Sequence, residues 1–169
     1  MARRPPDHID EILAQWRRER PDLDVSPLGL LGRLLRAAQL SDAALSARLA
    51  AHDLQPGWFD LLAALRRSGR PYELNPTQLM GATMLSSGGM TKRIDRLAET
   101  GLVERRPDPA DRRGILVKLT PRGKTVVDRA VEAHVANEER LLGSLNPADR
   151  RALDDLLRRL LADLEARSA

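Results

Sequence analysis

Apolar residues recur at helical spacing along almost the whole chain. Ile9, Ile12, Leu13 and Trp16 fall at i, i+3, i+4 and i+7, which predicts a first helix capped by Asp7 and running to about Arg20, where Pro21 stops it. Ser26-Pro27, an N-cap with Pro at the first helical position, opens a long second helix to about His52, with Leu31, Leu34, Leu35, Leu45 and Leu49 inward. A third helix runs from Pro56 to Gly69, and Asn75-Pro76-Thr77-Gln78 opens a short fourth to about Thr83. A turn at Leu85-Ser86 leads into a fifth helix through Thr100, with Met90, Ile94 and Leu97 inward and Gly101 as its stop. The pattern then changes. Two β-type runs, 102–106 and 115–119, flank the polar stretch 107–114 and predict a hairpin. Thr120-Pro121 and Asn146-Pro147 cap the last two helices, which end near Gly143 and Arg167. The final helix carries Leu153, Leu156, Leu157, Leu160, Leu161 and Leu164, a wide apolar face on a terminal element. There is no internal repeat.

Composition narrows the class. Of 169 residues 30 are Leu and 22 Ala, and the aromatics are only Trp16, Trp58, Phe59 and Tyr72. That mix favours a mainly α fold over a sandwich or barrel. No apolar run approaches the ~18 residues of a membrane span, and the basic start lacks a signal peptide's apolar stretch, so a cytoplasmic protein is expected. Cys is absent, and His8, His52 and His134 lie far apart, outside any metal-ligand spacing. A helical-bundle enzyme needs clustered carboxylates or histidines on facing helices, and the sequence has no E-x-x-H and no nucleophile beside a base. No enzyme, metal or cofactor is therefore expected. The net charge is +4, carried by 25 Arg and 3 Lys against 24 acidic residues, a weak pointer to nucleic acid.

The placement of those charges says more than their sum. Residues 75–119 read helix, turn, helix, hairpin, an order that can lay the second helix in a DNA major groove. Its expected first turn, Ser86-Ser87-Gly88-Gly89-Met90-Thr91-Lys92, is small and polar. Small side chains permit close approach, and hydroxyls bond bases or phosphates. Candidate DNA contacts are Ser86, Ser87, Gly88, Thr91, Lys92 and Arg96 on this element. On the hairpin they are Arg112 and Arg113, placed for a neighbouring minor groove, with Asp111 pairing an Arg to shape the tip. Each part alone is commonly just a cap or a solvated turn; their joint order and spacing point to DNA.

The stretch 91–97, then Gly101-Leu102-Val103-Glu104-Arg105-Arg106, the wing D-x-x-D-R-R from Asp108 to Arg113, and Leu119-Thr120-x-x-Gly123 closely resemble the MarR family of winged helix-turn-helix regulators. The match is strong over 56–123 and loose in the flanking helices. The resemblance implies N-terminal helices over 1–55, a winged helix-turn-helix over 56–120 and dimerisation helices over 121–169. It also implies an obligate homodimer, a palindromic double-stranded operator, and a small ligand that alters DNA affinity. The leucine face of the last helix suits a second copy.

Two charges break the apolar pattern. Asp60 interrupts Trp58-Phe59-Asp60-Leu61-Leu62, and Arg93 leans toward the stripe of Met90, Ile94 and Leu97. A half-buried Arg needs an anionic partner, because stranding one ion costs about 3–5 kcal/mol. Asp60 and Arg93 suit each other or a bound anion. Arg105 alternates with Val103 and so can share its inward face. Trp16, Asp60, Arg93 and Arg105 together resemble the quartet of the urate-responsive MarR subgroup, as do the extra first helix and Arg20-Pro21-Asp22-Leu23-Asp24. A ring to stack, two guanidiniums and a carboxylate suit urate or a related purine. Singly, Trp16 is more often core than a ligand stacker, Asp60 with Arg93 reads equally as a static ion pair, and Arg105 is more often a phosphate or surface residue. Two other functions stay open at this point: a regulator answering an aromatic carboxylate, and an architectural DNA-binding protein with no effector.

Overall fold

The capping residues start the helices at the expected places. In a computed structural model of the chain, which describes residues 5–83 and 89–168, Asp7 caps α1 (His8–Glu19). Its carboxylate accepts from the Asp10 amide, and the Asp10 carboxylate accepts in return from the Asp7 amide. Asn75 and Gln78 form the same reciprocal box at the start of α4 (Pro76–Ala82). Thr120 caps α6 (Pro121–Leu141) through the Gly123 amide, and Asn146 caps α7 (Pro147–Ser168) through the Ala148 and Asp149 amides. The remaining helices are α2 (Ser26–Ala50), α3 (Pro56–Arg67) and α5 (Met90–Glu99). The start of α2 differs from expectation. Ser26 is already helical, and the Asp24 carboxylate takes the capping role by accepting from the Ser26 amide and hydroxyl.

The chain divides into two compact units, 1–44 and 45–169. In the first, α1 packs on the start of α2. Leu13 is buried, and its Cδ1 fills the space that a side chain at Gly29 would need. The Arg33 guanidinium bridges Asp7 at 2.8 Å and Asp10 at 2.6 Å, and holds the Asp7 carboxyl down at about 2. Three residues expected inward are exposed: Trp16 at 45%, Leu31 at 50% and Leu35 at 64%. Two helices can cover only one flank of each other, so the rest of the leucine pattern on α2 has nothing in this unit to pack against.

In the second unit, Leu49, Leu61, Leu62, Leu65, Leu79, Ile94, Leu97, Val117 and Val127 form the centre of the core. The hairpin is longer than the sequence suggested. β2 (Val103–Asp108) and β3 (Asp111–Leu119) pair antiparallel from Val103 opposite Leu119 to Pro107 opposite Ile115, then shift register so that Asp108 stands opposite Asp111, leaving only residues 109 and 110 between the strands. Pro107 is tolerated because β2 is an edge strand. A further strand, β1 (Glu73–Leu74), pairs with Lys118 and Val117 on the other side of β3, giving the order β1-β3-β2. The fold is thus mainly helical with a small antiparallel sheet. Among the described residues no helix is long and apolar enough to cross a membrane.

Gly101 and Gly123 hold the joint between α5, the sheet and α6. Gly101 ends α5 at φ 70°, a left-handed turn that favours glycine. Gly123 lies so close to the Leu102 carbonyl oxygen that a Cβ there would overlap it. Thr120 Oγ1 accepts from the Gly123 amide at 2.9 Å and donates to the Gly101 carbonyl at 2.8 Å. This contact accounts physically for the L-T-x-x-G pattern. α7 has no buried residue; Leu153, Leu156, Leu161 and Leu164 are all more than two-fifths exposed.

Candidate nucleic-acid interface and effector cleft

α5 is amphipathic in the way its spacing required. Met90, Ile94 and Leu97 are buried at 4%, 1% and 1%. Thr91, Lys92 and Arg96 are exposed on the flank away from the core. The helix begins at Met90, behind Gly89 at φ 85°, so the expected first turn starts four residues later than the sequence reading placed it. Ser86, Ser87 and Gly88 lie outside the described residues. Arg96 shares an exposed ion pair with Glu99 at 2.9 Å.

The wing turn is closed by Asp108, the first residue of the wing motif, to which the sequence pattern assigned no shaping role. Asp108 Oδ1 accepts from the Ala110 amide at 2.9 Å and so closes the turn. The signal was available, since Asp followed by Pro is a turn initiator. Asp111 is exposed at the start of β3, and the side chains of Arg112 and Arg113 lie outside the description.

Arg105 is exposed rather than sharing the burial of Val103. Its guanidinium pairs with Asp95, which ties the wing strand to α5. Asp95 is two residues on from Arg93, about 200° round the helix. The structure therefore does not bring Arg105 to Arg93. Trp16 belongs to the other unit and stands exposed on α1.

The charge of Arg93 acts on Asp60, though less strongly than that of Arg67 or His134. α3 is buried at Phe59, Leu61, Leu62, Ala64 and Leu65, so a carboxylate at 60 is half-buried by its neighbours. That burial pushes its pKa up, and the charges of Arg67, His134 and Arg93 oppose the rise, in that order. Arg67 also donates to the Ala82 carbonyl, joining α3 to α4. The raised pKa has a definite sign in stability. The folded state holds the Asp60 proton to higher pH than the unfolded chain, so this group's contribution falls as pH rises through its folded pKa. Asp60→Asn is expected to raise the urea midpoint at pH 7, with the gain over wild type shrinking as the pH is lowered. An Asn variant less stable than wild type at pH 7 would contradict this.

Arg93 runs between two glycines. A Cβ at Gly57 would stand 2.9 Å from Arg93 Nε, and one at Gly89 would stand 3.4 Å from Nη1. Beside it opens a cleft of about 310 Å³, lined by Gln55, Trp58, Gly89, Lys92, Arg93 and Arg96. A second, larger groove of about 680 Å³ lies between α3 and α6. There Arg66 on α3 pairs with Asp128 on α6 at 2.6 Å, and Lys124 meets the same carboxylate at 2.8 Å. Among the described residues no cluster of His, Asp or Glu could hold a metal ion.

Comparison with known proteins places this architecture. The MarR family model matches residues 52–114. The chain is 40% identical over 152 residues to the HTH-type transcriptional regulator PecS of Dickeya dadantii, covering 90% of this chain and 92% of that protein. Among solved structures it superposes on a mutant MarR from E. coli complexed with operator DNA, with a TM-score of 0.69, 28% identity, and coverage of 86% of this chain and 97% of that one. It also matches Bordetella bronchiseptica BpsR, from work on regulation of its DNA binding by 6-hydroxynicotinic acid, with a TM-score of 0.68 and 34% identity over 76% of this chain and 91% of that one.

Proposed function

Because the chain belongs to the MarR family of winged helix-turn-helix transcriptional regulators, we propose that it is a homodimeric repressor whose grip on palindromic double-stranded DNA is lowered by a small anionic ligand such as urate or a related purine. Its relatives are transcriptional regulators rather than enzymes, and MarR-family regulators bind DNA as dimers. In this reading Thr91, Lys92 and Arg96 on α5, with Ser86, Ser87 and Gly88 before it, meet the major groove. Arg112 and Arg113, with Asp111 beside them, meet the adjacent minor groove.

The observation that carries the ligand half is the position of Arg93. A half-buried guanidinium rooted in the reading helix and influenced by a half-buried carboxylate at Asp60 is a natural receiver for an anion. Trp16 and Arg105 complete the set in this proposal, Arg105 acting from the wing through Asp95. Ligand binding and DNA binding oppose each other, so DNA must weaken ligand affinity by the factor by which ligand weakens DNA affinity.

The test is a mobility-shift titration of the DNA upstream of the protein's own coding sequence. Urate is expected to raise the apparent Kd in the wild type, while Arg93→Ala loses most of that response and still binds the DNA. An operator affinity indifferent to urate would end the urate reading. The similarity to BpsR favours one second reading, an aromatic carboxylate acting at the same arginine. The same titration with 6-hydroxynicotinate separates the two, and indifference to both leaves an effector-free DNA-binding protein.

A further inference from the structure

We infer that an anion in the cleft between α3 and α5 displaces DNA directly, by occupying cations that DNA itself needs, and not only by altering the distance between two reading helices. The inference deepens the proposed function and rests on its ligand half through Arg93, the one member of that set among the cleft's described lining, with Trp58 as the stacking ring here. Among the described residues the cleft is lined from one lobe: Gln55 and Trp58 from the start of α3, Gly89 as the cap of α5, and Lys92, Arg93 and Arg96 from α5 itself. None of the described lining residues comes from α6 or α7. An occupant therefore has no need to push on dimerisation helices to be felt.

The walls divide by chemistry. Trp58 is half-buried and supplies a flat apolar side against which a planar heterocycle can lie. Gln55 precedes α3 without using its side chain as a cap, so its amide is available to a polar ring edge. Lys92, Arg93 and Arg96 bring three positive charges to the same space. The volume, about 310 Å³, sits at the small end of the range for ligand pockets, which suits a bicyclic anion rather than a larger cofactor.

The decisive point is overlap. Lys92 and Arg96 line the cleft, and they are also the exposed cations of the reading helix. The exposed pair of Arg96 with Glu99 is easily exchanged for another anion. One guanidinium or ammonium cannot serve a bound heterocycle and a DNA phosphate or base edge in two places at once. Ligand and duplex then exclude one another within a single protomer.

Direct exclusion and a change in spacing make different predictions for half an operator. A duplex with one half-site engages one lobe, so the separation of two lobes is irrelevant to it. The experiment measures urate binding to the full-length protein by calorimetry, then the anisotropy-derived Kd of the dimer for a half-site duplex across a urate series. Direct exclusion predicts that the half-site Kd rises in proportion to urate, about tenfold for each tenfold increase above urate's own Kd, without a plateau. Trp58→Leu is expected to cut this rise at least tenfold, and Trp58→Phe, which keeps a ring, to restore most of it. If urate binds and weakens the full operator while the half-site Kd stays constant or levels off, the inference is overturned and the proposed function stands. If calorimetry detects no urate binding, the urate reading falls and takes this inference with it.

Discussion

Replacing Gly123 with Ala should lower the melting temperature by about 6–12 °C at fixed protein concentration, corresponding to about 3 kcal/mol. The added methyl would overlap the Leu102 carbonyl oxygen, which already accepts from the Thr120 amide at 3.1 Å. Neither side can yield cheaply. On one side Leu102 leads into β2 and is buried at 6%; on the other, α6 is fixed through Thr120 and through Arg122, which donates to the Thr100 carbonyl at 2.9 Å. Overpacking commonly costs about 1–3 kcal/mol, and a clash between two pieces of backbone belongs at the upper end. Gly81→Ala is the internal control. It lies in α4 with nothing within 4 Å of an added Cβ, so it should leave the melting temperature unchanged or raise it. A Gly123→Ala protein melting within 2 °C of wild type would refute the argument.

The second large effect concerns α7. Leu156→Asp combined with Leu164→Asp is expected to give monomers at micromolar concentration and to weaken operator binding on the order of 10²–10⁴-fold, the usual advantage of linking two binding events. Leu156 is 58% exposed and Leu164 49%, and they lie on one flank of a helix that has no buried residue. Each leucine covered by a second copy contributes roughly 1.5–3 kcal/mol, whereas a carboxylate forced into the same place would be stranded. The substitutions leave the protomer's own core untouched, so its far-ultraviolet circular dichroism should be preserved. Sedimentation velocity and operator anisotropy read the two consequences separately. A stable dimer with wild-type affinity would remove α7 from the interface.

What could be read in advance was chiefly what is local. Asp7, Asn75, Thr120 and Asn146 begin helices because a short polar side chain answers amides two or three residues on, whatever the rest of the protein does. The stripe of Met90, Ile94 and Leu97 was legible for the same reason, since one helix and one core settle it. β1 was not legible. Two residues carry no period, and Glu73–Leu74 becomes a strand only because β3 passes beside it. Leu31 and Leu35 show how a pattern can mislead: apolar spacing marks one face of a helix, and both residues on that face stand exposed. The candidate ligand residues were hardest. Any arginine pairs with any nearby carboxylate, so spacing could not reveal that Arg105 turns to Asp95, or that Arg67 pulls harder than Arg93 on Asp60.

The ion pair from Arg105 to Asp95 has a mechanical meaning. It joins a strand of the hairpin to α5, so a movement of one is passed in part to the other. If α5 reads base edges and the wing grips phosphate, as proposed, sequence discrimination and non-specific hold are geared together through this one exposed contact.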